Sequence, residues 1–582
     1  MKISKIPLAQ NVVQQCKTHQ IKHIVISPGS RNAPLTISFT NDDFFECYSI
    51  VDERCAAFFA LGIAQQIKYP VAVVCTSGSA LLNYYPAISE AYYSRIPLVV
   101  LSADRPEYKV DIGDGQTIKQ PNVYGEHSLC NVNLKQDIND DEPFKKDDIP
   151  LLKILKKQPS RFKELKNNIE AFNISEINTA LKISIEKSGP VHINVPFEEP
   201  LYETIDLDVE VEELSFSNGL KSTFKIENED QNIWSSSKKK MILVGVLSPN
   251  SIETEIINQL AKDDSVIVFT ETTSNLHHPD FFNSIDTIIA PLEEEDFINL
   301  QPDLLLTIGG MIVSKKIKAF LRKHQPKNHW HVGKHVANDT FYCLSKHFDI
   351  DVSEFFDALD LSQNNDTNTY KSYWLNIKNH RLKKHNDYLK NIPFCDFLVF
   401  DKVLKSIPKN HQLQVGNSSA IRYTQLFELN PTIHVFCNRG TSGIDGSTST
   451  AIGASTVSKN PVIFITGDLS FFYDSNALWN NYIPKNFRII LINNSGGGIF
   501  RILPGHKDTE NFDTYFETKH QLTAEQLCEM FGFDYHTSKN EIELKQRLSD
   551  FFDDSNQPKL LEIFTPSTIN DKILLEYFDF VK

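Results

Sequence analysis

Two apolar runs, each ending in a hard oxygen donor, restrict what this chain can fold into more than any other stretch. Ile463–Thr466 leads into Gly467, Asp468, Leu469 and Ser470; Ile489–Ile492 leads into Asn493 and Asn494, with Ser495 and three glycines, Gly496 to Gly498, behind them. Short runs of β-branched and aromatic residues read as strands, and two parallel strands need a crossover between them. The segment Phe471–Tyr482 is long enough for a helix, so the stretch predicts a βαβ unit. Both strand ends of such a unit face one edge of a parallel sheet, the edge at which open α/β sheets bind ligands. Asp468 and Asn494 should therefore converge. A carboxylate, an amide oxygen and a backbone carbonyl from the glycine-rich turn suit Mg²⁺, which takes its remaining oxygens from water and substrate phosphate. The implied ligand is a diphosphate. In the competing reading Asp468 caps the following helix and Asn494 turns the chain.

A chain of 582 residues exceeds what one core organises and predicts about three to four domains. A net charge of −15 with 41% hydrophobic residues describes a soluble protein with no basic stripe for nucleic acid, so any anion it binds must be met by locally placed cations. Nine cysteines, scattered singly with no CxxC pair, indicate neither a disulfide framework nor a zinc site. The residues after Met1 lack the apolar core of a signal peptide, and the sequence has no stretch of about 18 uncharged apolar residues. These features predict a cytoplasmic protein. The 18 histidines show no HExxH spacing, and no Ser-His-Asp arrangement stands out.

From Ile24 to Val195 strand-like and helix-like segments alternate. His23–Ser27, Val71–Thr76, Pro97–Ser102 and Pro190–Val195 read as strands, and Asp52–Gln66 as an amphipathic helix with acid at its start. Lys135–Asn173 is lysine-rich, with helical spacing at Leu151–Leu155, and reads as a solvated excursion; residues 200–240 read as a linker. A second α/β pattern has strands at Met241–Gly245, Val266–Thr270, Leu304–Gly309 and His329–Gly333, without a GxGxxG. After the polar run Ser362–Thr369, a third has strands at Gln412–Gly416, Ile433–Phe436, Pro461–Thr466, Arg488–Ile492 and Lys559–Phe564. Strands alternating with helices predict α/β architecture, three doubly wound parallel-sheet domains over 1–200, 201–365 and 366–582.

Asp468 followed 25 and 26 positions later by Asn493 and Asn494 resembles the diphosphate-anchoring motif of thiamine diphosphate (ThDP) enzymes. Three α/β domains with that motif in the last is the order of their decarboxylase branch. The resemblance implies Asp468, Asn494 and the Gly496 carbonyl as ligands of Mg²⁺ or Mn²⁺. Leu469 stands where the usual motif has glycine. Further stretches narrow the family: Ser27-Pro-Gly-Ser30-Arg31, Val51-Asp-Glu53-Arg54, Ser102-Ala-Asp-Arg105-Pro, Gly416-Asn-Ser418, Asn438-Arg439-Gly and Ile499-Phe500-Arg-Ile-Leu503. Together they resemble the 2-succinyl-5-enolpyruvyl-6-hydroxy-3-cyclohexene-1-carboxylate (SEPHCHC) synthase family, MenD, which carries Gly-Asp-Leu-Ser in place of Gly-Asp-Gly.

What that family implies is specific. Glu53 would hydrogen-bond N1′ of the cofactor's aminopyrimidine; as a residue pattern alone, Glu53 or Asp52 serves equally as a first-turn helix acid. Ser442, Gly443, Gly467, Leu469 and Ser470 would line the cofactor, with Ile444 propping its two rings. The implied reaction is decarboxylation of 2-oxoglutarate and conjugate addition of the resulting succinyl carbanion equivalent to isochorismate, giving SEPHCHC and CO₂ in menaquinone biosynthesis. Both substrates are dianions, for which planar guanidinium forks are suited. Arg31, Arg105, Lys315, Arg422 and Arg439 would meet them, with Lys316 an alternative to Lys315 and with Ser30, Gln116 and Ser418 adding hydrogen bonds. Ile499, Phe500 and Leu503 would form an apolar wall, and the glycine-hinged loop around Gln116 would close on substrate. The resemblance also implies a homodimer or homotetramer whose active sites pair the first domain of one subunit with the third of another. Other readings stay open: an acetohydroxyacid synthase or 2-oxoacid decarboxylase of the same fold, or a non-catalytic relative.

Overall fold

The computed structural model describes residues 2–138, 159–206, 224–362, 368–502 and 509–582. Three parallel sheets with helical crossovers organise the chain. In the first, Glu46–Ser49, His23–Ile26, Val71–Cys75, Leu98–Asp104, Val191–Pro196 and Cys130–Asn133 lie side by side in that order. The second runs Val266–Thr270, Lys240–Val244, Leu304–Ile308, Asn328–Val332, Lys346–Phe348. The third runs His434–Phe436, Gln412–Val415, Val462–Gly467, Arg488–Asn493, Lys559–Phe564, Asp534–Ser538. The first and third sheets therefore share one spatial order of their six strands, 2-1-3-4-6-5. In each the order reverses between the first and third strands in sequence, and that reversal opens a crevice at the strands' carboxyl ends. A small antiparallel pair, Lys2–Ser4 with Thr204–Asp206, stands apart.

The interior strands form because both faces are covered. Val71–Cys75, Leu98–Asp104 and Leu304–Ile308 are buried at every position and are predominantly apolar. Two sequence expectations are corrected. The crossover between the two donor-tipped strands is not one helix over Phe471–Tyr482: the helix is Asp468–Tyr473, starting on the carboxylate itself, and a 3₁₀ turn, Ser475–Leu478, follows. The proposed linker at 200–240 holds the strand Thr204–Asp206 and the helix Asn228–Ser236. Leu151–Leu155 lies outside the described residues; the helix of that region is Pro159–Lys187.

The chain divides into two compact units, Met1–Asn218 with Thr448–Ser458 and Asp474–Ile483, and Gly219–Ser447 with Lys459–Tyr473 and Pro484–Lys582. In the first unit the helix Glu53–Ile67 is buried continuously from Cys55 to Ala64. It crosses the helix Ser447–Val457 at glycines: a Cβ on Gly62 would come within 2.1 Å of the Thr450 carbonyl oxygen, and one on Gly453 within 2.0 Å of the Phe59 carbonyl oxygen. Fully buried Asp474 secures the crossing. It accepts hydrogen bonds from the Ser449 N–H at 2.7 Å and hydroxyl at 2.9 Å, and lies 3.8 Å from the Arg54 guanidinium.

Burial pushes the Asp474 pKa up to about 6, against the opposing pull of the Ser449 bonds and Arg54. The folded state thus binds this proton more tightly than the unfolded chain. Its stabilising contribution is present at low pH and fades as pH rises through about 6. Asp474→Asn should shift relative stability in the variant's favour between about pH 5 and about pH 7. Thermal unfolding at the two pH values reads this; a pH-independent difference from the wild type would contradict it.

Candidate active site

In the third sheet, the loops after Gln412–Val415, Val462–Gly467 and Arg488–Asn493 meet around a cavity of about 160 Å³. Its lining includes Asp396, Asn417, Ser418, Ile444, Asp468, Leu469, Asn494, Gly496 to Gly498, Ile499 and Phe500. Asp468 is buried at the first position of its helix, where one carboxylate oxygen accepts the Leu469 N–H at 2.7 Å and the other accepts the Gly496 N–H at 3.0 Å. The same carboxylate stands at the start of a helix and reaches the turn after Asn494. The Asn494 side-chain nitrogen donates to Asp396 at 3.0 Å, which turns its amide oxygen the other way. Asp396 is fully buried; burial, aided by the Asp468 charge, pushes its pKa up to about 6 against its bonds from Thr565 and Asn494.

The turn is strained in a patterned way. Ser418, Ser442 and Ser495 adopt φ of 67°, 62° and 65°, and Gly496 adopts 146°. Left-handed backbone at non-glycine residues costs on the order of 1–3 kcal/mol each and gathers at ligand sites. Gly496 has no such freedom to exchange: a Cβ there would sit 2.6 Å from the Glu517 carbonyl oxygen. The donors available to a cation, Asp468, the Asn494 amide oxygen and the Gly496 carbonyl, are all hard oxygens. That set fits Mg²⁺ and does not suit a soft metal. Among the described residues no cluster of three or more His, Cys, Asp or Glu competes as a metal site.

Asn417, in the cavity lining, holds Arg439: its nitrogen donates to the carbonyls of Asn438 and Gly443, both at 2.7 Å, and its oxygen accepts from Arg439 at 2.7 Å. Arg422 projects from the short helix Ser419–Thr424. The Nε atoms of Arg422 and Arg439 are both buried without a hydrogen-bond partner. Burial, and then the neighbouring Arg439 charge, lowers the Arg422 pKa. Planar guanidinium forks of this kind are suited to pairing with carboxylates. Ile444 is half-buried in the cavity wall, and its carbonyl accepts from the Ser470 hydroxyl at 3.0 Å. Ser442, Gly443, Gly467 and Ile499 are half-buried and Phe500 is exposed; Leu503 lies outside the described residues. Lys315 and Lys316 are exposed at the start of the helix Lys315–Lys323.

In the first unit, Asp52 and Glu53 take different work. Asp52 caps the helix, accepting the Cys55 N–H at 3.2 Å, and also accepts from Asn476 at 2.8 Å. Glu53 is released from capping and half-buried; burial first, and the Asp52 charge last, raise its pKa, while a bond from its own backbone N–H opposes them. Arg31 is buried, donates to the Phe197 carbonyl at 3.0 Å and pairs with Glu199. Arg105 donates to the Gly115 carbonyl at 3.0 Å, tethering the loop on whose exposed surface Gln116 sits with φ 57°. Ser30 is exposed.

Sequence reading missed Asp396, Asn417 and His520, whose Nε2 lies 3.4 Å from Asp468. Asp396 carries no local signal beyond that of a first-turn helix acid. Asn417 stands inside a recognised stretch, but its partners are more than 20 residues away.

Residues 6–125 match the family model for the N-terminal TPP-binding domain of thiamine pyrophosphate enzymes, and residues 414–563 match the C-terminal TPP-binding domain. The fold and these two domains define a ThDP enzyme. A SEPHCHC synthase of Flavobacterium psychrophilum is 54% identical over 99% of this chain and 98% of its own length. That of Christiangramia forsetii is 54% identical over the whole of both chains, and that of Phocaeicola vulgatus 36% identical over 98% of each. The chain belongs to the SEPHCHC synthase family of ThDP enzymes.

Proposed function

We propose that this protein decarboxylates 2-oxoglutarate and adds the remaining succinyl unit in conjugate fashion to isochorismate, giving SEPHCHC and CO₂ in menaquinone biosynthesis. The observation that carries the reading is the hard-oxygen set of Asp468, Asn494 and Gly496 lining one cavity, in a chain whose relatives are named for this reaction. Bound ThDP supplies the electron sink that lets a 2-oxo acid lose CO₂.

The protein's residues supply the rest. Asp468, Asn494 and the Gly496 carbonyl would hold Mg²⁺, with Mn²⁺ as an alternative, for the diphosphate, while Gly467, Leu469 and Ser470 would line it. Ser442, Gly443 and Ile444 would support the rings. Glu53, whose proton affinity is raised, would be the carboxylate that meets N1′ of the aminopyrimidine. Arg31, through the N–H groups left over from Glu199, joins Arg105, Lys315, Arg422 and Arg439 in meeting substrate carboxylates. Ser30, Gln116 and Ser418 add hydrogen bonds, and Ile499, Phe500 and Leu503 exclude water.

Three domains divided near 200 and 365 carry these groups in a cytoplasmic homodimer or dimer of dimers, each site drawing Glu53 and Asp468 from different subunits. Among the described residues no helix is long and apolar enough to cross a membrane.

Mixing the protein with ThDP, Mg²⁺, 2-oxoglutarate and isochorismate should consume isochorismate, and replacing 2-oxoglutarate by pyruvate should stop it. Equal consumption with pyruvate would assign a different ThDP carboligase; no consumption with either would reject the proposal.

A further inference from the structure

A second cavity, of about 200 Å³, opens beside the helix Tyr370–Leu389 and shares no lining residue with the first. Lys378, Arg381 and His385 recur at the spacing of one helix face and line it together. Lys378 and Arg381 are only 8% and 6% exposed. The Lys378 ammonium donates to the carbonyls of Pro279 and Phe281 at 2.6 and 2.7 Å. Arg381 donates through Nη1 alone, to the carbonyls of Thr287, at 3.3 Å, and Ile288. Those bonds leave lysine one donor and the guanidinium two nitrogens.

Among the described residues neither cation is in ion-pair contact with a carboxylate. Burial lowers the pKa of both, as it does for charges held without a counter-charge. Asp401, the buried carboxylate of the lining, is already paired, with Lys405 at 2.5 Å. His385 adds no charge: burial pushes its pKa down to about 4, and its Nδ1 is 2.8 Å from the Tyr577 hydroxyl. The lining therefore sets the cations Lys378, Arg381 and Lys405 against the carboxylates Asp401 and Glu428, and a single negative charge balances it.

The rest of the wall includes Phe282, Ile288, Leu404, Leu426 and Phe427, all buried. An apolar cavity of about 150 Å³ holds benzene. The space here therefore suits one ring, or a chain of about six carbons, with a carboxylate attached.

We propose that this cavity is a binding site for a small monocarboxylate with a compact apolar body, its carboxylate taken by Arg381 and Lys378 and its body packed against Phe282, Leu404 and Phe427. The guanidinium offers a planar fork that matches a carboxylate, and the ammonium a point charge beside it. An ion without an apolar body leaves the wall uncovered, and a neutral ring leaves the cations unmet.

The test is calorimetric titration of the full-length protein, loaded with Mg²⁺ and ThDP, with benzoate and hexanoate, and with acetate and benzamide as controls. Benzoate or hexanoate should bind with a dissociation constant below about 1 mM, and acetate and benzamide about tenfold more weakly or worse. Lys378→Met should weaken the tighter ligand about tenfold. Asn386→Trp, a change at an exposed lining residue that leaves both cations in place, should do the same by closing the entrance, and serves if Lys378→Met does not fold. Arg439→Met should leave binding within about twofold of wild type. No binding of benzoate or hexanoate at about 10 mM would overturn the inference. So would acetate binding as tightly as either, which marks an adventitious ion only. Binding lost in Arg439→Met but kept in both cavity variants would move the carboxylate to the candidate active site and overturn it as well.

Discussion

Replacing Glu53 by Gln should lower kcat by about 10²- to 10⁴-fold while leaving ThDP affinity within about threefold of wild type. The separation follows from how the helix start divides its duties. Asp52 takes the cap bond to Cys55 and the contact with Asn476, so Glu53 contributes nothing to the helix that Gln would fail to supply. What Gln lacks is a titratable oxygen. Burial already pushes the Glu53 carboxylate toward its protonated form, the condition under which it can share a proton with a ring nitrogen. Removing a half-buried charge beside Asp52 should also leave the melting temperature unchanged or slightly raised. Turnover and calorimetry on the same samples separate the outcomes: near-normal kcat would remove Glu53 from the mechanism, and lost stability would return it to a structural role.

Asp468→Ala should weaken binding of Mg²⁺–ThDP by about 2–5 kcal/mol, roughly 30- to 5000-fold, the range for deleting one partner of a buried charged contact. Two losses combine. The carboxylate is the one anion in the oxygen set with Asn494 and Gly496, and it also accepts the Leu469 and Gly496 N–H groups that hold both turns in register. At about 100 times its dissociation constant, a ligand that binds only the folded state stabilises it by about 2.7 kcal/mol. Thermal unfolding with Mg²⁺ and ThDP should show that stabilisation in the wild type and little of it in the variant at the same concentrations. An equal upward shift in both would place the metal elsewhere.

The interior strands are legible in the sequence because burial on both faces leaves a predominantly apolar run, as in Val71–Cys75 and Leu304–Ile308. Three of the edge strands are not: Glu46–Ser49, Cys130–Asn133 and Asp534–Ser538 are short and polar on the side no neighbour covers, so neither period nor composition marks them, whereas the apolar edge strands Val266–Thr270 and His434–Phe436 are legible. The βαβ unit is readable from its two donor-tipped strands, yet the end of its helix at Tyr473 and the 3₁₀ turn Ser475–Leu478 after it carry no local signal in the sequence. In the site, residues placed by strand ends could be named from the sequence. Residues that orient those side chains, Asp396 behind Asn494 and Asn417 behind Arg439, act across long sequence separations and leave no local pattern.

A crystal structure of the protein with ThDP and Mg²⁺ tests the central assignment most directly. The expected result is one metal peak about 2.0–2.1 Å from a carboxylate oxygen of Asp468, the side-chain oxygen of Asn494 and the carbonyl of Gly496, completed by diphosphate and water. Diphosphate bound with no metal touching those three oxygens, or a metal held by other residues, would contradict it.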